Sequence, residues 1–291
     1  MAGRRTRTTN LLIALWTGAI LLFLYLPIMS VVLASFSRAR YFQFPVTKWD
    51  TMWYERAFDS LQVRDLVWTS FAVAALVTVV SVVLGFFGAL AFARYDWKGR
   101  KLYQRLILLP IFFPQAVLGL ALLLWFSALG ISTNWLTGAF AHMVWIVPIV
   151  TLIMSIQVYG FDPALEEAAF DLGATRWQVM REVTLPILAP GIISGTIFAF
   201  LLSWGNFPLS LFTTGADQTV PKWLYAKMVS GYTPLVPTLG SLTMAGAAMI
   251  LLGAYGLARF VRFARERRER ALAGASAPVQ SPVVLTEGGR P

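Results

Sequence analysis

The chain has 291 residues, of which 57% are apolar and only 13% are charged, and its mean hydropathy is +0.66. Soluble domains carry roughly 25% charged residues, so this composition excludes a large soluble core and indicates a polytopic membrane protein. The net charge of +10 does not indicate nucleic acid, because the basic residues flank apolar runs, where they act as topology signals. Cysteine is absent, which excludes disulfides and cysteine-ligated metals.

Six apolar segments are long enough to cross a bilayer, since a spanning helix needs about 20 mostly apolar residues. They are residues 11–36, 66–93, 106–129, 138–159, 187–212 and 237–260. The first segment is longer than the apolar core of a signal peptide and lacks a small-x-small cleavage site, so we interpret it as an uncleaved span. The sequence therefore predicts an all-α membrane protein with six transmembrane helices.

Lys and Arg residues indicate which ends of the spans face the cytoplasm. Most of the 24 lie in the N-terminus 1–10, in two loops, 94–105 and 160–186, and in the tail. The opposite side carries few, most of them in one longer outer loop, 37–65. The excess predicts that both termini and the loop 160–186 are cytoplasmic.

An outer loop and a tail complete the predicted organisation of the chain, whose six-helix domain is 11–260. The outer loop 37–65 contains WDTMWYERAF, an aromatic and charged run that predicts interfacial helices. The tail 261–291 is basic at first. Beyond residue 270 the tail is rich in small residues and proline, and we expect this part to be disordered.

The loop 160–186 contains signals that predict helices, unlike most loops between spans. Asp162 and Pro163 form an N-cap followed by a first-turn proline, and Glu166 and Glu167 lie near the positive end of the helix dipole. Gly173 suits the end of this helix. An apolar stripe at helical spacing comprises Ala164, Leu165, Ala168, Ala169 and Leu172.

A second short helix is predicted after Gly173. Thr175 and Gln178 form a capping box, and this helix is expected to end before Pro186. An amphipathic hairpin on the membrane surface is the alternative. Surface helices usually present Lys and Arg outward and large apolar groups inward. The first helix here is acidic with a face of Ala and Leu, which favours packing in a protein groove.

The loop carries a resemblance to a known family. EEAAxxLGA followed by VxLPxxxPGIxxG resembles the loop motif of permease subunits of binding-protein-dependent ABC importers, and AHMVWIVPIV and VPKWLYAKMVSGYTPLVPTLGSLTM resemble the second permease of spermidine/putrescine-type systems. The resemblance implies a type I importer permease fold, in which the first loop helix is a coupling helix in a cleft of a cytoplasmic ATPase. The coupling positions that it implies are Glu166, Glu167, Ala168, Ala169, Leu172, Gly173, Ala174, Leu185 and Pro186.

The same resemblance implies the partners and the location. These are a cytoplasmic ABC ATPase dimer, a second permease that is a different chain, an extracytoplasmic binding protein and the lipid of a bacterial inner membrane. The solute is expected to be a small organic molecule, polyamine-like or related. Gly205 and Asn206 depart from the pattern, because related polyamine permeases often carry acidic residues there, and this argues against a polycation.

The energy for transport is expected to come from outside the chain. Ion-coupled transporters usually place ionisable residues inside the membrane, but all 14 acidic residues lie outside the apolar runs. No Gly-Lys pair exists, so a P-loop is excluded. We expect ATP and Mg²⁺ to bind a partner, and no cofactor, metal or catalytic residue in this chain. His142, the single histidine, is expected to pack or hydrogen-bond.

Polar or aromatic residues at span depth are candidates for the solute pathway, or alternatively for packing and hydrogen bonds between helices. They are Gln115, Trp125, Ser203, Trp204 and Asn206. A self-contained carrier or channel is the alternative function. A membrane-embedded enzyme needs a cluster of His, acidic or nucleophilic groups at the membrane boundary, and the sequence disfavours it.

Overall fold

The structure is a computed structural model that describes residues 7–39, 41 and 45–275. Within them it is built of helices and of one isolated antiparallel bridge, between Ser37 and Trp49. The chain divides into two units, residues 1–247 and 248–291, and the sites described below lie in the first. The helices are α1 (Arg7–Ser35), α2 (Met52–Asp59), α3 (Leu61–Ala89), α4 (Arg100–Leu106), α5 (Leu109–Phe112), α6 (Gln115–Ala128), α7 (Trp135–Tyr159), α8 (Ala164–Asp171), α9 (Arg176–Val179), α10 (Leu185–Trp204), α11 (Pro208–Thr213), α12 (Val220–Ser230) and α13 (Leu235–Ala275).

Two π-helical turns extend the long helices. Leu90–Arg94 continues α3, and Met180–Thr184 joins α9 to α10. Helix α9 and its π turn therefore form one 29-residue helix with α10, Arg176–Trp204. The expectation that the second loop helix ends before Pro186 was wrong. Pro186 lies in the first turn of α10, directly after the widened turn, where a proline that lacks an amide hydrogen is accommodated.

Five helical stretches of the described residues are long and apolar enough to cross a membrane, and a sixth exists if a bent pair is counted as one span. The pair is Arg100–Phe112 and Gln115–Ala128, with 103° between its halves. The predicted span 106–129 is therefore not one straight helix. Phe113 is extended, with φ −80° and ψ 135°, because the residue before a proline, here Pro114, disfavours the helical conformation.

The core of the first unit is formed by α3, α7 and α10, which pack against one another. Val77, Val150 and Ala199 are fully buried at its centre. Two glycines allow the close approach. A Cβ at Gly85 of α3 would lie 2.6 Å from Val150 Cγ1 of α7, and one at Gly195 of α10 would lie 2.8 Å from Met154 Cε. Helix α11 packs against α6 and α7 beside this core.

A second apolar cluster joins α2, α3, α12 and the start of α13. Its buried members include Ala57, Leu66, Trp223 and Leu239. The helix predicted in the outer loop is present as α2. Helix α3 begins at Leu61, before the predicted residue 66, because the Ser60 side chain accepts a hydrogen bond from Val63 N (3.3 Å) and caps it.

The first and last helices agree with the prediction to different degrees. Helix α1 matches the predicted first span closely, and most of its apolar side chains are exposed. Helix α13 continues to Ala275, past the predicted span end at residue 260 and through the first residues of the segment expected to be disordered. The stretch 261–275 is rich in Arg, Glu, Ala and Leu, which favour helix, and the first proline of the tail comes after it. Residues 276–291 lie outside the described part.

Candidate functional site

The first helix of the loop 160–186, α8, has the predicted start. Asp162 Oδ1 accepts a hydrogen bond from Ala164 N (3.0 Å), and Pro163 stands at the first helical turn. Glu166 and Glu167 occupy that turn, where negative charge interacts favourably with the helix dipole.

The end of α8 is fixed by Gly173. Its φ of +85° is left-handed, a conformation that costs glycine little. Gly173 N donates to Phe170 O (2.9 Å), and Ala174 N donates to Ala169 O (3.0 Å). These two bonds form a complete Schellman motif. The capping box follows directly, because Thr175 Oγ1 accepts from Gln178 N and the Gln178 side chain accepts from Thr175 N.

Glu166 ties the loop to two long helices. Its Oε2 lies 2.5 Å from Arg94 Nη2, at the end of the π turn that follows α3. Its Oε1 accepts a hydrogen bond from Thr184 Oγ1, at the end of the π turn before α10. The Arg94 guanidinium also lies over the Phe161 ring, 4.7 Å from the centroid. Glu166 is therefore largely engaged within the subunit.

The remaining surface of α8 is open. The helix has no buried residue, Glu167 and Ala168 are exposed, and Leu165 and Leu172 are 50% and 89% exposed. Of the other predicted coupling residues, Ala169, Ala174, Leu185 and Pro186 are half-buried, and Gly173 is exposed.

Sequence reasoning missed two large apolar side chains of this loop. Phe170 is 43% exposed and Trp177 is 69% exposed. Both fall outside the small-residue stripe that was used to define the apolar face. A search for any large apolar side chain in a polar loop detects them, since a contiguous exposed apolar patch marks an interaction site. With Leu165 and Leu172 they give the loop four large apolar side chains open to a partner.

Two of the predicted pathway residues are buried inside the subunit. Ser203 Oγ lies 2.9 Å from His142 Nδ1, and His142 Nε2 lies 3.0 Å from Ser210 Oγ. Asn206 Oδ1 accepts from Leu209 N (3.1 Å) at the start of α11. The hydrogen-bonding role expected of His142 is confirmed: it joins α7 to both sides of the break between α10 and α11. The predicted span 187–212 is interrupted at that break.

The other three candidate pathway residues are more exposed, and the structure does not bring them together at one site. Trp204 is half-buried and lines a groove of about 640 Å³ between α3, α10 and α13. The groove also contains Trp68, Phe71 and Arg64. Trp125 is 49% exposed and stacks on Phe140, with 6.1 Å between ring centroids. Gln115 is half-buried at the start of α6.

An all-α bundle with several membrane-length helices and an open, capped helix between two of them is the architecture of a membrane transport subunit. Residues 81–268 match the family model described as the inner membrane component of binding-protein-dependent transport systems. The match covers more than half of the chain, so the chain belongs to this family. It is a multi-pass bacterial inner-membrane protein and a permease subunit of an ABC importer.

Curated relatives extend over most of the chain. It is 30% identical over 273 residues to the putrescine transport system permease protein PotI of Escherichia coli (strain K12), which covers 88% of this chain and 93% of that protein. It is 28% identical over 222 residues to the spermidine/putrescine transport system permease protein PotC of Haemophilus influenzae, covering 76% and 86%.

Solved structures support the same fold. A bacterial ABC transporter involved in the import of the acidic polysaccharide alginate aligns with a TM-score of 0.68 at 18% identity, covering 88% of this chain and 97% of that one. The inward-facing MetNI methionine ABC transporter aligns with a TM-score of 0.57 at 20% identity, covering 69% and 99%. The predicted type I importer permease fold is therefore confirmed.

Proposed function

We propose that this subunit couples to a cytoplasmic ABC ATPase dimer through α8 and forms half of a translocation pathway for a small organic solute. One observation carries the proposal. Helix α8 is stopped by a Schellman motif and tied to two long helices, yet it leaves four large apolar side chains of its loop uncovered. A helix held in this way can occupy a protein groove and pass its displacement to the spans on either side.

The chemistry of the chain supports a separate source of energy. The apolar runs hold no carboxylate, and the sequence has no P-loop lysine motif. In the proposed complex ATP and Mg²⁺ bind to the ATPase, and this chain contributes mechanical coupling and its half of the pathway. Glu167 and the exposed apolar residues Leu165, Phe170 and Leu172 are the contacts that we assign to the ATPase surface.

The second permease is proposed to be a different chain that covers part of the exposed surface of α1 and of the groove beside Trp204. Lipid covers the remainder. Helix α1 exposes apolar side chains from Leu11 to Met29, and its attachment to the subunit is concentrated near its C-terminal end. There Ser35 Oγ and Tyr54 Oη are 2.6 Å apart, and Tyr54 Oη donates to Ser241 Oγ (3.2 Å).

The pathway is proposed to follow the surface that includes Trp204, with Trp125 and Gln115 on a further face. Ser203 and Asn206 support the bend behind Trp204. The aromatic groove offers π faces to an organic solute. The names of the relatives favour a polyamine-like or related molecule. Gly205 and Asn206 supply no negative charge, so an extracytoplasmic binding protein would provide most of the specificity.

The test is reconstitution in proteoliposomes with the ATPase, second permease and binding protein of the same importer, using radiolabelled putrescine as the first probe. We expect ATP-dependent uptake only when all components are present, and co-purification of the ATPase with the wild-type permease. Glu167→Lys should reduce co-purification, whereas Glu182→Lys, an equal charge change at an exposed site of the same loop, should not. Uptake by this chain alone would contradict the proposal and favour a self-contained carrier.

A further inference from the structure

Glu166 binds the final residue of each π-helical turn. Leu90–Arg94 ends at Arg94, and Met180–Thr184 ends at Thr184. In such turns the hydrogen bonds reach back five residues, so the helix locally widens, and these turns are frequent at functional sites. Two π turns of separate helices thus meet at one carboxylate.

The contact is enclosed. The side chains of Arg94 and Glu166 are 14% and 16% exposed, and Thr184 is 2% exposed. Each carboxylate oxygen has its own partner, one on each helix. Phe161, 6% exposed, lies under the Arg94 guanidinium. We call Arg94, Phe161, Glu166 and Thr184 the clasp. Charges this well shielded from solvent are screened much less by salt than exposed pairs.

Apolar packing holds α8 only weakly. None of its residues is buried, and Asp162 and Gly173, two positions before and two after it, are exposed. The helix also lies against α9 and against the π turn Met180–Thr184. The clasp is the enclosed polar contact that fixes α8 to the ends of both α3 and α10. A movement of α8 therefore acts on the bundle through the clasp, through these contacts and through the two connecting segments.

We propose that Glu166 is a positioning residue that makes α8 move as one body with the ends of α3 and α10. The proposal rests on the proposed coupling of α8 to an ATPase. In it, a force applied to α8 reaches the bundle by two routes. One runs through Arg94 into α3, and the other runs through Thr184 into α10. The two π turns are the compliant points at which these helices bend while the clasp stays closed. Glu167, one position further, faces the partner and has no part in the clasp.

The test uses the absence of cysteine in this chain. Spin labels at Tyr95→Cys and Asp171→Cys, both exposed positions, report the distance between the end of α3 and α8. It is measured in the complete importer with and without ATP and vanadate. The labelled parent should retain ATPase stimulation and give one narrow distance in both states. Glu166→Ala in that background should broaden the distance or make it differ between states.

Coupling is measured in the unlabelled importer. Glu166→Ala, Glu166→Gln and Thr184→Val should keep the ATPase bound but lower the stimulation of ATP hydrolysis by the loaded binding protein by at least about fivefold, the lower end of typical coupling between sites. Glu182→Gln is the matched control and should leave it unchanged. If Glu166→Ala fails to insert into the membrane, Glu166→Gln and Thr184→Val test the role of the clasp.

The outcomes separate the clasp from the proposed function. If the wild-type permease does not bind the ATPase, the proposed function fails and the clasp proposal falls with it. If the ATPase binds, Glu167→Lys releases it, and the clasp variants keep parental distances and stimulation, only the clasp proposal is overturned.

Discussion

The helix stop of the loop 160–186 offers a clean perturbation, because a Cβ added at Gly173 meets no other part of the described molecule. Apart from Gly173 and its two chain neighbours, no heavy atom lies within 4 Å of the position that this Cβ would occupy, while φ is +85°. The effect of Gly173→Val is therefore conformational. The variant should disfavour the Schellman motif that sets the direction of the chain between α8 and the helix starting at Arg176.

The magnitude follows from the backbone conformation. A non-glycine residue in the left-handed helical region costs roughly 1–2 kcal/mol, and a β-branched side chain belongs at or above the top of that range. If only the native turn presents α8 correctly, the apparent affinity for the ATPase falls in proportion to the population of that turn. At about 1.4 kcal/mol per factor of ten, a cost of about 2 kcal/mol or more corresponds to a weakening of at least about 30-fold.

The assay is a titration of the purified permease pair in nanodiscs with the ATPase. Gly160→Ala is the matched control: Gly160 is in the same loop with φ −83°, and its nearest contacts to an added Cβ are 3.8 Å away. Gly173→Asn should be intermediate, since asparagine tolerates the left-handed region. If Gly173→Val binds as tightly as Gly160→Ala, the turn does not position α8 and the reasoning is refuted.

Three further predictions concern the bundle, and all are measured by unfolding in detergent. Gly85→Ala should lower the free energy of unfolding by about 1–3 kcal/mol, because the added Cβ overpacks against α7. Gly253→Ala is the control and should not lower it, since the space around Gly253 is open. Equal stabilities of the two variants would contradict the close approach of α3 to α7. His142→Phe should lower the free energy of unfolding by about 1–3 kcal/mol, because it removes two hydrogen bonds of roughly 0.6–1.7 kcal/mol each. An unchanged stability would show that these two bonds do not stabilise the bundle. Burial lowers the pKa of Lys222 from its usual 10.5, against the opposing Asp217 charge. At pH values below 10.5 the unfolded chain therefore binds more protons than the folded chain, and the free energy of unfolding should rise with pH towards 10.5. If the same rise is measured in Lys222→Met, Lys222 is not its cause.

Local chemistry was enough to predict how the first loop helix begins and ends and how the second one begins. Asp162, Gly173 and Thr175 act on neighbours within a few residues, so their roles can be inferred from the sequence itself. The partner of Glu166 could not be inferred in this way. Arg94 is 72 positions away, and only the packing of α3 against α7 and α10 brings it to the loop. The charge of Glu166 suggested a dipole interaction, and the structure adds an ion pair.

Rules that assume ideal α-helices failed at the prolines. The predicted stop before Pro186 presumes that a proline loses a bond to the fourth preceding carbonyl, but a π turn precedes it and the helix continues. The prediction of one straight span over 106–129 was also wrong, but here the helix breaks where it was expected to continue, because Pro114 forces Phe113 into an extended conformation. A proline pattern therefore indicates that a helix is perturbed, while the surrounding packing decides between a π turn and a sharp bend.

The distribution of contacts bears on how such a subunit transmits movement. Tightly packed interiors are difficult to compress and pass strain on, and α7 lies against both α3 and α10 at Gly85 and Gly195. A force that reaches either helix at its π turn is therefore shared by all three. Helix α8 lies outside this packed core, with no buried residue of its own. In the proposed coupling to an ATPase, a displacement of α8 moves the bundle only as far as the attachments of α8 are stiff. We therefore expect the shielded ion pair of Glu166 to affect coupling efficiency more than the exposed face of α8 does.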